Sequence, residues 1–115
     1  MEPKKLRISD DPMYQLLRAG NLAEFNRKKA AGDKPDLTAC DFRNLDLRGI
    51  DADGLDFSDC YFRQADLRGI DFRGACLEGA SLNGAQVSGA YFPKCLSAEE
   101  IKLSVELGTR LRYST

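Results

Sequence analysis

From residue 35 to residue 94 the chain divides into consecutive groups of five without a gap. They read PDLTA, CDFRN, LDLRG, IDADG, LDFSD, CYFRQ, ADLRG, IDFRG, ACLEG, ASLNG, AQVSG and AYFPK, which is 12 pentads over 60 residues. A period of five fits neither an amphipathic helix, at about 3.6 residues, nor a flat strand, at about 2. The third residues are Leu37, Phe42, Leu47, Ala52, Phe57, Phe62, Leu67, Phe72, Leu77, Leu82, Val87 and Phe92, and all are apolar. The first residues are apolar or small throughout. The second is Asp in seven of the 12 pentads and the fifth is Gly in seven. A very short strand followed by a corner has this pattern. Positions one and three point inward, position two points out, and positions four and five turn the chain.

Self-comparison sets the number of pentads per coil. Shifting residues 35–54 along the chain by 20 matches 11 of 20 residues, whereas shifts of 5, 10 and 15 match six, five and six. Four pentads therefore make one unit, and 12 pentads make three. The hexapeptide DLRGID, at residues 46–51 and again at 66–71, is one corner repeated one coil later. Residues 20 apart should stack at about 4.8 Å. This gives interior columns Leu37–Phe57–Leu77, Phe42–Phe62–Leu82, Leu47–Leu67–Val87 and Ala52–Phe72–Phe92. These third-position residues, apart from the undersized Ala52, form the expected structural core.

The pattern resembles the pentapeptide-repeat family, whose motif is roughly A(D/N)LXX. The resemblance covers residues 35–94, about half the chain. It implies a mainly β fold: a right-handed quadrilateral parallel β-helix of about three coils. The Asp position departs from the motif at Tyr61, Cys76, Ser81, Gln86 and Tyr91.

A β-helix has open edges at both ends, and such edges need covers. Residues 1–34 are expected to be an N-terminal helical cap. Asp11 and Pro12 start one helix that Gly20 ends, and Asn21 with Glu24 starts a second, ending before Gly32. Leu22 or Phe25 could fill the space beside Ala52. Residues 95–115 are expected to be a C-terminal capping and dimerisation helix with a tail. Ser97 and Glu100 form its capping box and Gly108 its stop. That helix has two apolar stripes on nearly opposite sides, Ile101 with Val105 and Leu103 with Leu107. One stripe can cover the last coil. The other either meets a second copy, making a homodimer, or is covered by the tail TRLRYST. All four residues are candidate dimer contacts. Charge points the same way. Coils one and two carry nine acids against five arginines, while coil three carries only Glu78 and Lys94. Interface cores are depleted in charge.

Asp46, Arg48, Asp51, Asp66, Arg68, Asp71 and Arg73 form an outward array, the candidate interaction face. Its bland reading is a solvated surface with modest pairing. The chain has no histidine, which removes the commonest general base. No nucleophile–base pair, metal cluster or phosphate loop is evident, so no catalytic, cofactor-binding or metal-binding residue is assigned. Asp51 and Asp71 could be proposed as an acid–base pair, but on an exposed convex face. Of the four cysteines, Cys40 and Cys60 share an inward column within disulfide reach and read as small buried residues. Cys76 faces outward and is the thiol best placed to react, and Cys95 lies beyond the pentads. There is no apolar run near the length of a membrane span and no secretory leader. With the resemblance, this implies a cytoplasmic bacterial protein.

The function expected is a non-enzymatic scaffold or protein–protein interaction module with an unnamed partner. The alternative is a DNA mimic that binds topoisomerase (gyrase), as some pentapeptide-repeat proteins do in quinolone resistance. The net charge of -1 argues against binding nucleic acid itself.

Overall fold

A computed structural model describes residues 7–114. Residues 1–6 and 115, parts of the expected N-terminal cap and C-terminal tail, lie outside the described residues. Three helices flank the pentads: α1 (Pro12–Arg18), α2 (Leu22–Ala30) and α3 (Ala98–Leu107).

The pentads stack with a register of 20. Parallel bridges join Asp41 to Tyr61, Asp46 to Asp66, Asp56 to Cys76, Tyr61 to Ser81, Asp66 to Gln86 and Asp71 to Tyr91. The backbone repeats the same exchange throughout. Phe62 N–H donates to Ser81 O at 2.9 Å, and Ser81 N–H donates to Cys60 O at 3.0 Å. The result is a β-helix-like solenoid. It contains no continuous strand among the described residues, so the expectation of a mainly β chain needs correction. The reason is the period itself: each side offers one bridging residue before the chain must turn.

Each corner is closed by a bond from the first residue of a pentad back to the third residue of the pentad before, such as Ala65 N–H to Phe62 O at 2.9 Å. At these corners, Gly74 excepted, the fifth residue supplies the positive φ that such a turn needs. Glycine does this at Gly49 and Gly69 (φ 90° and 73°), but Ala39, Asn44, Asp59 and Gln64 take φ of 56–63° at the same position. The turn's geometry is thus imposed by stacking even where no glycine eases it.

The interior is a column of rings and aliphatic chains. Phe42 stacks on Phe62 with centroids 5.2 Å apart, and Phe72 stacks on Phe92 at 5.9 Å. Phe57 meets Phe42, Phe62 and Phe72 edge to face. Leu37, Leu47, Leu67, Leu77 and Leu82 are fully buried with them, and Ala52 is buried too. Val87 and Phe92, expected in the core, are only half-buried. They occupy the last coil, where no further coil lies above them.

The first coil is covered by the N-terminal segment. Asp11 caps α1 through Met13 N–H, and Met13, Tyr14 and Leu17 form its buried face. Tyr14 meets Phe42 edge to face at 5.4 Å, and its hydroxyl donates to Asp41 O at 2.6 Å. Asn21 caps α2, whose Phe25 is fully buried and Leu22 half-buried. The exposed backbone edge is met group by group. Arg7 adds a parallel bridge to Cys40, taking Asp41 N–H on its carbonyl. The Asn26 amide donates to Gly49 O and accepts from Asp51 N–H, both at 2.9 Å.

At the other end, α3 and the tail share the last coil. Residue 110 pairs antiparallel with Ser81, and Leu111 exchanges bonds with Gly79 N–H and Ala80 O. Tyr113 OH accepts from Leu77 N–H at 2.8 Å. Ser104 Oγ accepts from Leu82 N–H at 2.9 Å, and Val105 O accepts from Gly84 N–H.

Candidate functional site

The Asp-x-Arg pentads share one local geometry. The second-position carboxylate accepts from the backbone N–H, Nε and a terminal nitrogen of the arginine two residues on. For Asp46 and Arg48 the distances are 3.1, 3.0 and 2.8 Å. Asp66 with Arg68, Asp71 with Arg73 and Asp41 with Arg43 repeat it within about 0.2 Å. Each carboxylate therefore fastens its own corner. Arg48 also reaches across one coil to Asp66 at 3.2 Å. Alternation of the Asp and Arg columns offsets the repulsion expected of stacked like charges.

The side chains of Asp46, Arg48, Arg68, Asp71 and Arg73 are about half exposed, whereas Asp66 is largely covered. Asp51 departs from the array. It pairs with Lys29 of α2 at 3.1 Å rather than with an arginine. Asp51 is thus held by a lysine of α2 and Asp71 by the arginine of its own pentad. In coil three the columns become neutral. Tyr91 takes the Arg73 guanidinium over its ring at 4.7 Å.

The arginine bonds hold these carboxyls below their ordinary value of 3.8, at about 2 for Asp46 and Asp71. Asp66 and Asp41 are lowered for the same first cause. A carboxyl depressed on folding contributes stability above its unfolded value and loses it as pH falls through the folded one. Tm should therefore be flat near neutrality and fall between about pH 4 and about pH 2. High salt should shrink that fall, because the pairs are exposed. A Tm unchanged through the acid range would remove these pairs from the account of stability.

Cys40 and Cys60 are both buried thiols. Cys60 donates to Leu37 O at 2.8 Å, and burial pushes its pKa far up. Cys76 is half-buried with Ser58 Oγ at 3.2 Å, and Cys95 is exposed. No group of three or more acidic or cysteine side chains among the described residues is placed to hold a metal ion. No described helix is long and apolar enough to cross a membrane.

α3 meets the last coil with its Ile101–Val105 side, but the centre of the contact is polar. Its fully buried centre is Ser104, and Glu100 is buried beside it, bonded to Arg112. Ile101 and Val105 are half-buried on one flank of that face. Leu103 is 39% exposed and Leu107 69%. The tail lies along residues 77–81, not over Leu103 and Leu107. A polar centre is what an open edge requires, since Leu82 N–H must find an acceptor. An apolar count along the helix misses this. The signal available was a serine in mid-helix, where that residue is otherwise unfavourable.

A solenoid whose outer surface is a regular side-chain array, with helices packed at both ends, is the architecture of a repeat protein. The chain belongs to the pentapeptide-repeat family: the family model for pentapeptide repeats matches residues 36–74 and 56–92, with eight copies. Proteins of this family are generally non-enzymatic structural or interaction proteins. No curated protein and no solved structure matches the chain.

Proposed function

We propose that the protein is a non-enzymatic scaffold or protein–protein interaction module that self-associates as a homodimer through its C-terminal end. In this reading residues 35–94 form a right-handed quadrilateral parallel β-helix of about three coils. Residues 1–34 cap it, and residues 95–115 both cap and dimerise. The observation that carries the proposal is the incomplete cover of the last coil. Two of its sides are met by α3 and the tail. Val87 and Gly89, on the next side, have backbone N–H groups with no acceptor among the described residues. Beside them lies a shallow, mainly apolar groove of about 270 Å3 lined by Val87, Ala98, Ile101 and Val105 together with Lys102 and Glu106. Leu103 and Leu107 stand exposed on the same helix. Unpaired edge groups next to exposed apolar surface invite a second chain, and coil three is neutral, which suits an interface core.

Solution mass tests this. Wild type should sediment as a dimer, and Leu103→Glu and Leu107→Glu should sediment as folded monomers. Both side chains are exposed, so neither change should disturb the fold. A monomeric wild type, or dimers that survive both substitutions, would reject the interface. The topoisomerase reading gains no support from the outer face. A duplex mimic needs rows of bare negative charge, and here Asp41, Asp46, Asp66 and Asp71 are each neutralised by an arginine two residues on.

A further inference from the structure

Of the five arginines in the pentads, four have Asp two residues before them and are fastened by it. Arg63 is the exception. Its pentad reads CYFRQ, with Tyr61 where the others carry Asp. The Arg63 side chain is exposed and makes no hydrogen bond or ion pair among the described residues, although its backbone carbonyl accepts from Asn44 N–H. It stands one coil above Arg43 in the fourth-position column, with Asn83 one coil above it.

The tail adds a third guanidinium. Arg110 enters the same place, donating to Tyr61 OH at 3.3 Å, to Gly79 O at 3.2 Å and, at a long 3.4 Å, to Asp59. Its guanidinium lies over the Tyr61 ring at 5.5 Å. Arg43, Tyr61, Arg63, Asn83 and Arg110 together line a cleft of about 190 Å3. Asp41 answers Arg43 through Nε and one terminal nitrogen, leaving the other terminal nitrogen unused. Asp59 answers Arg110 weakly. Three cations thus converge against two carboxylates, and the unanswered charge is Arg63.

We propose that this cleft is a binding site for a phosphate group, free or carried as a monoester. Guanidinium forks match phosphate and carboxylate oxygens alike. What favours a tetrahedral group is direction. Arg43 and Arg63 approach from two successive coils and Arg110 from the tail above, so oxygens pointing several ways are needed to meet all three. Tyr61 OH and the Asn83 amide add neutral donors at the rim. The site goes beyond the dimer reading and does not depend on it, because the C-terminal groove is lined by other residues.

The substitution of Tyr61 for Asp makes the proposal testable in both directions. Inorganic phosphate titrated into the full chain, followed by the Nε–Hε signals of the arginines, should give saturable shifts at Arg63 and Arg110. Arg63→Gln should weaken binding at least tenfold. Tyr61→Asp should abolish it, because the restored carboxylate would occupy Arg63 as its counterparts occupy Arg48 and Arg68. Arg73→Gln, which removes a fastened arginine outside the cleft, should change nothing. Phenyl phosphate binding like inorganic phosphate would assign the monoester, and inorganic phosphate alone would assign the free ion. Acetate binding as tightly as phosphate would overturn the tetrahedral assignment. No saturable response in the wild type, or one that survives Arg63→Gln, would overturn the site. Arg63 is exposed, so its variant should fold even if Tyr61→Asp does not.

Discussion

Replacing Phe62 with alanine is expected to lower the unfolding free energy by about 3–5 kcal/mol. Phe62 is fully buried. Its ring stacks on Phe42 at an interplanar angle of 9° and meets Phe57 and Phe72 at 5.6 and 6.5 Å. It therefore touches rings in its own coil and in the coil below. Truncation would leave a cavity between coils that the stacked backbone cannot close, because every side is tied at a fixed register. Small domains have only about 5–15 kcal/mol in total, so this single change should remove a large fraction. Phe62→Leu should cost far less, since Leu82 already fills the same column one coil above. Urea unfolding with the midpoint and slope both fitted would measure this. A loss under about 1 kcal/mol for alanine would mean that the aromatic column is not what holds the coils together.

The second large effect is expected at Ser104. Taken from the helix sequence alone, Ser104→Leu extends an apolar surface and should help. The structure predicts the opposite, a loss of at least about 2 kcal/mol. Ser104 is fully buried, accepts from Leu82 N–H and donates to Thr109 O at 2.6 Å. Leucine would leave both backbone groups buried without a partner and would force bulk into a closed contact. Ser104→Ala separates the two causes. It removes the bonds without adding volume, and should cost about 1–3 kcal/mol. Hydrogen exchange at the Leu82 amide should speed up in both variants. A stabilised Ser104→Leu protein would refute the polar seam between α3 and the last coil.

These two residues mark what a reader of the sequence can and cannot see. Phe62 is legible. A third-position apolar residue every five places, with identity peaking at a shift of 20, puts it inside and stacked. The helix signals are legible for the same reason, since Asp11, Asn21, Ser97 and Gly108 act on their own few neighbours. Ser104 is not legible, because its partner is a backbone N–H at residue 82. Backbone polarity at the end of a solenoid has no letter in the sequence.

The outer face divides the same way. The Asp-x-Arg spacing is visible, and the pairing within one pentad follows from it. Asp51 has Asp53 rather than an arginine two residues on, so the sequence names no partner for it, and a lysine on α2 takes it. Arg63 stands apart in sequence because Tyr61 replaces the Asp before it, yet only placement beside Arg43 and the returning Arg110 makes a cleft of it.

By itself the sequence determined the five-residue period, the 20-residue return and the identity of the interior columns. Those depend on contacts that recur at constant separation, so repetition records them. The tertiary structure alone decided how the ends are covered: Arg7 and Asn26 at the first coil, Ser104, Leu111 and Tyr113 at the last. It also decided which side stays open, at Val87 and Gly89. Each of these contacts is made once, between residues far apart in the chain, to satisfy hydrogen-bonding groups that every sequence carries alike.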